Sequence, residues 1–256
     1  MSREPAFASS ILVAVALVLA GSALAYQEVP VTDGGTITGT VKFVGPIPEM
    51  EPIGVAKDQD TCGNTVPSEV LIVNPQNRGL KNAVVFLEKV EKGKRLKAKA
   101  PTLDNAKCLF VPHVQAVPVR GKLKVKNSDA ILHNTHAFLG RRTVFNLALP
   151  VQGLVIKRKI KKPGVIKLRC DAHVHMSAWI VAMRHPYFAV TDDNGDYEIA
   201  DVPPGKYKVI AWHEPWKVKV KDEGGRLLFE PVGGVTLAQE ATISPKGEVK
   251  VSFEFK

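Results

Sequence analysis

Val165-Ile166-Lys167-Leu168-Arg169-Cys170-Asp171-Ala172-His173-Val174-His175-Met176 joins two kinds of sequence. In its first half Ile166, Leu168 and Cys170 fall on one side of an extended chain, and Lys167 and Arg169 on the other. That is the period of a half-buried β-strand. The alternation then stops, and C-x2-H-x2-M sets a thiol, an imidazole and a thioether at two-residue intervals. A tight loop with that spacing aims successive side chains at one point. Thiolate and thioether favour copper, Cu(I) especially, and imidazole serves both oxidation states. Cys170, His173 and Met176 are therefore candidate ligands.

A trigonal site needs a second imidazole from elsewhere. Upstream, Lys122-Leu123-Lys124-Val125-Lys126 alternates with lysines outward and Leu123 and Val125 inward. The segment Asn127 to Asn134 follows and brings in His133. Alone, His133 reads as a hydrogen-bonded core histidine, Cys170 as a small buried hydrophobe or half a disulfide, and Met176 as core. Their order and spacing together point to a metal.

These two segments resemble the cupredoxins, amicyanin most closely, through Asn127, His133-Asn134, Gly164 to Leu168, Cys170, His173 and Met176. The resemblance covers roughly residues 105 to 185, the size of one small domain. It implies a Greek-key β-sandwich with a type 1 copper site at one end: Cys170, His133 and His173 in a plane, Met176 as weak axial ligand. It also implies that Asn134 ties the ligand loops by hydrogen bonds, and that His173 is the more exposed imidazole and the electron port. His175 departs from the pattern, since an apolar or aromatic residue is usual there. It either competes with Met176 for the axial position or faces solvent.

Around this unit the chain consists of short alternating segments with Gly/Pro turns, such as Thr36 to Phe43, Tyr207 to Trp212 and Glu248 to Phe255. The fold class is all-β. Tyr187 to Ile199 and Asp201 to Tyr207 resemble the second half of transthyretin-like, carboxypeptidase regulatory-type β-sandwich modules. The pieces that open such modules lie far upstream, in Gly35 to Gly45 and Asn82 to Leu87. The expectation is a copper unit (101–186) inserted into a split transthyretin-like module (34–95 and 187–256); two sandwiches in tandem are the alternative. Asp192, Asp193, Asn194 and Asp196 read as a polar hairpin turn, because the glycine comes too early for a calcium-binding EF-hand loop.

Residues 1–25 read as a signal peptide: Arg3, the apolar run Ile11 to Ala20, and Ala23-Leu24-Ala25 as cleavage site. The mature chain is then periplasmic or secreted, with no integral membrane segment. In an oxidising compartment two of the three cysteines tend to pair. With Cys170 a ligand, the pair is Cys62 and Cys108; a zinc site lacks C-x2-C spacing. The net charge of +10, in an exported protein that rarely meets nucleic acid, suits a solvated strand face or an acidic partner surface. The reading is a copper-binding one-electron carrier with a redox partner protein, not an enzyme. Copper storage or delivery, and a non-redox adhesive sandwich, are the alternatives.

Overall fold

The computed structural model of the chain describes residues 26–96, 100–223, 226–232 and 236–256. The expected signal peptide, 1–25, lies outside the described residues. The first long strand, β1 (Gly35–Phe43), is followed by one helical turn, α1 (Gln59–Cys62), and by β2 (Val84–Leu87). Nine strands come next: β3 (Thr102–Ala106), β4 (Leu109–Val111), β5 (Val114–Pro118), β6 (Lys122–Asn127), β7 (His133–Leu139), β8 (Arg142–Leu149), β9 (Val155–Lys159), β10 (Gly164–Arg169) and β11 (Ser177–Met183). The rest of the chain contributes β12 (Phe188–Val190), β13 (Asp196–Val202), β14 (Gly205–Trp212), a hairpin of β15 (Lys217–Glu223) and β16 (Arg226–Val232), then β17 (Thr236–Ile243), β18 (Glu248–Lys250) and β19 (Phe253–Phe255). The protein is all-β.

The strands β3 to β11 form two sheets, ordered β9-β6-β3-β4 and β8-β7-β10-β11-β5. Between them lies one core, with Leu103, Phe110, Leu123 and Val125 from the first sheet and Ala137, Leu149, Ile166, Leu168 and Ile180 from the second. The alternating sequences land as their period requires: Leu123 and Val125 are buried, and so are Ile166 and Leu168.

Apart from β15 and β16, which pair with each other as a separate hairpin, the remaining strands form a second sandwich, with sheets β12-β2-β14-β17 and β13-β1-β18, β19 also pairing with β1. Its core joins Ile37, Val41 and Phe43 to Val85, Leu87, Val209, Ala211, Ile243 and Phe253. Strand β1 thus pairs with residues more than 150 positions later: Thr40 lies opposite Asp196, and Val41 opposite Phe253. In the turn before β13, Gly195 has φ +76°, and a Cβ there would lie 2.3 Å from the Val41 carbonyl oxygen. Only glycine fits this crossing.

A third apolar cluster, Val84, Val114, Val181, Met183 and Trp212, joins the two sandwiches, with Trp179 against Trp212 at 5.6 Å. It explains why β2 and the end of β11 do not alternate. Val85 and Leu87 face one core and Val84 the seam, so both faces are dry.

Candidate metal centre

The loop Cys170 to Met176 joins β10 to β11, whose register ends with Arg169 opposite Ser177. The next pair closes the loop: the Cys170 N–H donates to the Met176 carbonyl at 3.3 Å, and the Met176 N–H to the His173 carbonyl at 2.9 Å. This turn points Cys170 and Met176 into the central core, where both are buried. Strand β7 starts beside the end of β10, pairing His136 with Arg169, and so brings His133 to the same place. Ligand atoms of His133, Cys170 and His173 lie within 4.8 Å of one another.

Each imidazole has one nitrogen committed. His133 Nε2 donates to Asp129 Oδ2 at 2.9 Å, and His173 Nε2 to Asp58 Oδ2 at 2.8 Å. A carboxylate only accepts, so these bonds place the proton on Nε2 and the lone pair on Nδ1 of a neutral ring. Burial holds the His133 imidazole below its usual range despite the pull of Asp129. Its Nδ1 is buried and has no hydrogen-bond partner among the described residues. Such an orphaned buried nitrogen costs about 1–3 kcal/mol unless something binds it. His173 Nδ1 lies 3.7 Å from Cys170 Sγ. The donor set is two imidazole nitrogens and a sulfur, with the Met176 side chain buried in the same core; it fits a soft-leaning transition metal, copper in particular.

Asn134 ties the two ligand segments together. Its N–H points at Cys170 Sγ at 3.5 Å, and its Oδ1 accepts from the Asp171 N–H at 2.6 Å and the Ala172 N–H at 3.3 Å. Its Nδ2 donates to Asn146 Oδ1 and Asp171 Oδ2. Those bonds, with one from Asn146 and His136 beside it, outweigh desolvation and hold the Asp171 carboxyl below its usual range.

Two expectations need correction. His173 is not an exposed port: its side chain is fully buried, with Asp58 across Nε2. The cause is the segment 53–66, which folds over this end of the sandwich and is held by a disulfide between Cys62 and Cys108, Cα–Cα 5.5 Å. His175 does not face solvent; its ring is buried and its Nε2 donates to the Cys108 carbonyl at 3.2 Å. It is also outside the group formed by His133, Cys170 and His173.

Asp58 and Asp129 escaped sequence reading. Asp129 precedes His133 by four residues, a usable signal. It also accepts the Lys107 N–H at 2.8 Å and the Cys108 N–H at 2.9 Å, so it bridges the disulfide turn to the imidazole. Asp58 lies 115 residues from His173 and left no such trace. Among the other histidines, His136 bonds Asp171 and Thr143, while His113 pairs with Glu214 at the seam; neither joins the centre. Among the described residues no helix is long and apolar enough to cross a membrane.

Residues 183–225 match a family model described as the second β-sandwich domain of BOS complex subunit NOMO1-like proteins. No curated protein matches the chain. Among solved structures, a copper-containing nitrite reductase from Thermus scotoductus aligns over 38% of this chain and 25% of its own, at 20% identity and TM-score 0.31. The aligned part is thus about a quarter of that enzyme. A purple cupredoxin from Nitrosopumilus maritimus aligns over 32% of this chain and 99% of its own, at 18% identity and TM-score 0.29. A reduced amicyanin variant aligns over 39% and 98%, at 18% identity and TM-score 0.31.

Proposed function

We propose that this chain is an exported, copper-binding one-electron carrier, built as a cupredoxin-like unit inserted into a split transthyretin-like sandwich. One observation carries the reading. Two imidazoles, each with Nε2 held by a carboxylate, leave Nδ1 beside a buried thiol that already has hydrogen bonds arranged around its sulfur. Copper bound there would supply a couple between Cu(I) and Cu(II). The chain's own part is to keep His133, Cys170 and His173 in one arrangement for both states. Strands β7 and β10, Asn134 and the two aspartates do this, and a donor set that does not rearrange suits fast transfer and disfavours metal hand-over.

A partner must approach this end of the molecule. Val174, at the apex of the ligand loop, is 81% exposed, and Leu132 beside His133 is 45% exposed. With His173 closed over, these apolar residues are the contact we assign to the redox partner. An acidic partner surface suits the lysines of β6 and β9, where Lys122 lies opposite Lys159 and Lys124 opposite Lys157. A carrier with this site works in the periplasm or outside the cell, and has no reaction of its own to catalyse.

The test is metal analysis and a visible spectrum of purified, copper-loaded protein. One copper per chain with an intense blue band in the oxidised protein is expected, and the band disappears in Cys170→Ser. Persistence of the band in that variant, or stoichiometric copper that stays colourless after oxidation to Cu(II), rules out the carrier reading.

A further inference from the structure

The cap over the metal centre comes from outside the unit that supplies the ligands. Asp58 sits at the start of α1 in a left-handed conformation, φ 55° and ψ 41°, and its carboxylate does not cap that helix. Asp is among the preferred residues at such a position because its side chain can satisfy free helical N–H groups. Here the carboxylate is spent on His173 instead. At the other end of the same turn, Cys62 is bonded to Cys108. The Cys108 backbone gives its N–H to Asp129, which holds His133, and its carbonyl to His175. One disulfide therefore joins the carboxylate on one imidazole to the carboxylate on the other.

We propose that Asp58 is a positioning residue for His173, delivered by the Cys62–Cys108 disulfide, and that this cap controls how fast copper leaves the site. The proposal rests on the copper reading above and adds the element that governs retention. A carboxylate on the far nitrogen of a ligating imidazole fixes its tautomer and orientation and raises its basicity. Loss of such a partner typically weakens metal binding by about 10–100-fold. Asp58 also takes the place through which a small chelator or a partner's side chain would reach His173.

Two measurements on the full chain test this. The first follows transfer of Cu(I) to an excess of a Cu(I)-selective chelator. Wild type should lose copper slowly, and Asp58→Ala about 10–100-fold faster. The Cys62→Ala/Cys108→Ala double variant, which keeps Asp58 but frees its segment, should be accelerated likewise. Rates for Asp58→Ala within twofold of wild type overturn the proposal. Asp58→Asn, nearly isosteric, serves if the alanine variant does not fold, and should also release copper faster than wild type. The second measurement is nitrogen NMR of the metal-free protein. His173 should carry its proton on Nε2 in wild type and become a tautomer mixture in Asp58→Ala, while His133 is unchanged. If wild type binds no copper, the carrier reading fails, and the NMR alone decides whether Asp58 positions His173. An unchanged His173 tautomer in Asp58→Ala would then sink the proposal.

Discussion

His175 and Met176 are neighbours in the chain and part company in space. Met176 is enclosed with Cys170 in the central core, whereas His175 gives its Nε2 to the Cys108 carbonyl. His175→Ala should therefore leave the visible spectrum of the copper protein nearly unchanged, and Met176→Ala should shift both spectrum and reduction potential. The reverse pattern would make His175 the axial ligand. Another histidine carries a prediction about pH. His185 is buried, accepts the Tyr187 N–H at 3.3 Å, and is pushed by burial down to about 4. The unfolded chain takes up this proton near pH 6.5, and the folded protein refuses it until about pH 4. Stability from His185 is thus complete above the unfolded value and is lost as pH falls towards the folded one, by about 3 kcal/mol. Denaturant titrations from pH 7 to 4 should show that loss, and His185→Gln should flatten this limb of the curve.

At the scale of single elements, legibility depended on what covers each face. β6 and β10 have one wet face, so their alternation identified them and fixed which side chains point inward. β2 and β11 are dry on both faces, and their apolar runs mark a buried segment without saying what lies on either side. The ligand loop was legible because its donors are close in sequence. The cap was not: an aspartate in a loop has no period, and its place is set by a crosslink. The lysine face of β6 and β9 has a cost of its own. Directly opposed like charges destabilise a sheet, and Lys122, Lys124, Lys157 and Lys159 form no ion pair among the described residues, whereas Lys126 has Asp104 at 3.1 Å. Lys159→Glu, which sets opposite charges at Lys122, should raise stability by about 0.2–1 kcal/mol. Under the proposed partner reading it should also slow association with an acidic partner at low salt. A variant that is less stable than wild type would show that the lysines are already compensated.

For the whole molecule, the seam between the sandwiches holds a buried ion pair between His113 and Glu214. Glu214 accepts the Trp179 Nε1–H at 2.6 Å and contacts His113 Nε2, both side chains of the pair being about 95% buried. Burial alone would depress the His113 imidazole, but Glu214, with Glu69 3.8 Å away, outweighs it and holds the pKa above the usual range. The stability this supplies is complete below about pH 6.5 and fades as pH rises through the higher folded value. Glu214→Ala leaves both partners unmatched and should cost about 3 kcal/mol in chemical denaturation; a loss under 1 kcal/mol would mean that the apolar cluster alone holds the seam. The long-range pairing of β1 has a different consequence, in time. Thr40 meets Asp196 only after 156 further residues have been made, a wait of roughly 10–30 s at ordinary synthesis rates of about 5–20 residues per second. Until then only its last residues, Val41 to Phe43, have partners, in Arg78 to Leu80, and the rest of β1 is an unpaired strand, the kind of segment that seeds aggregation. Its sequence is suited to the delay: Thr36, Thr38, Thr40 and Lys42 alternate with the apolar residues, so one whole edge-to-edge face stays polar and ends in a gatekeeping charge.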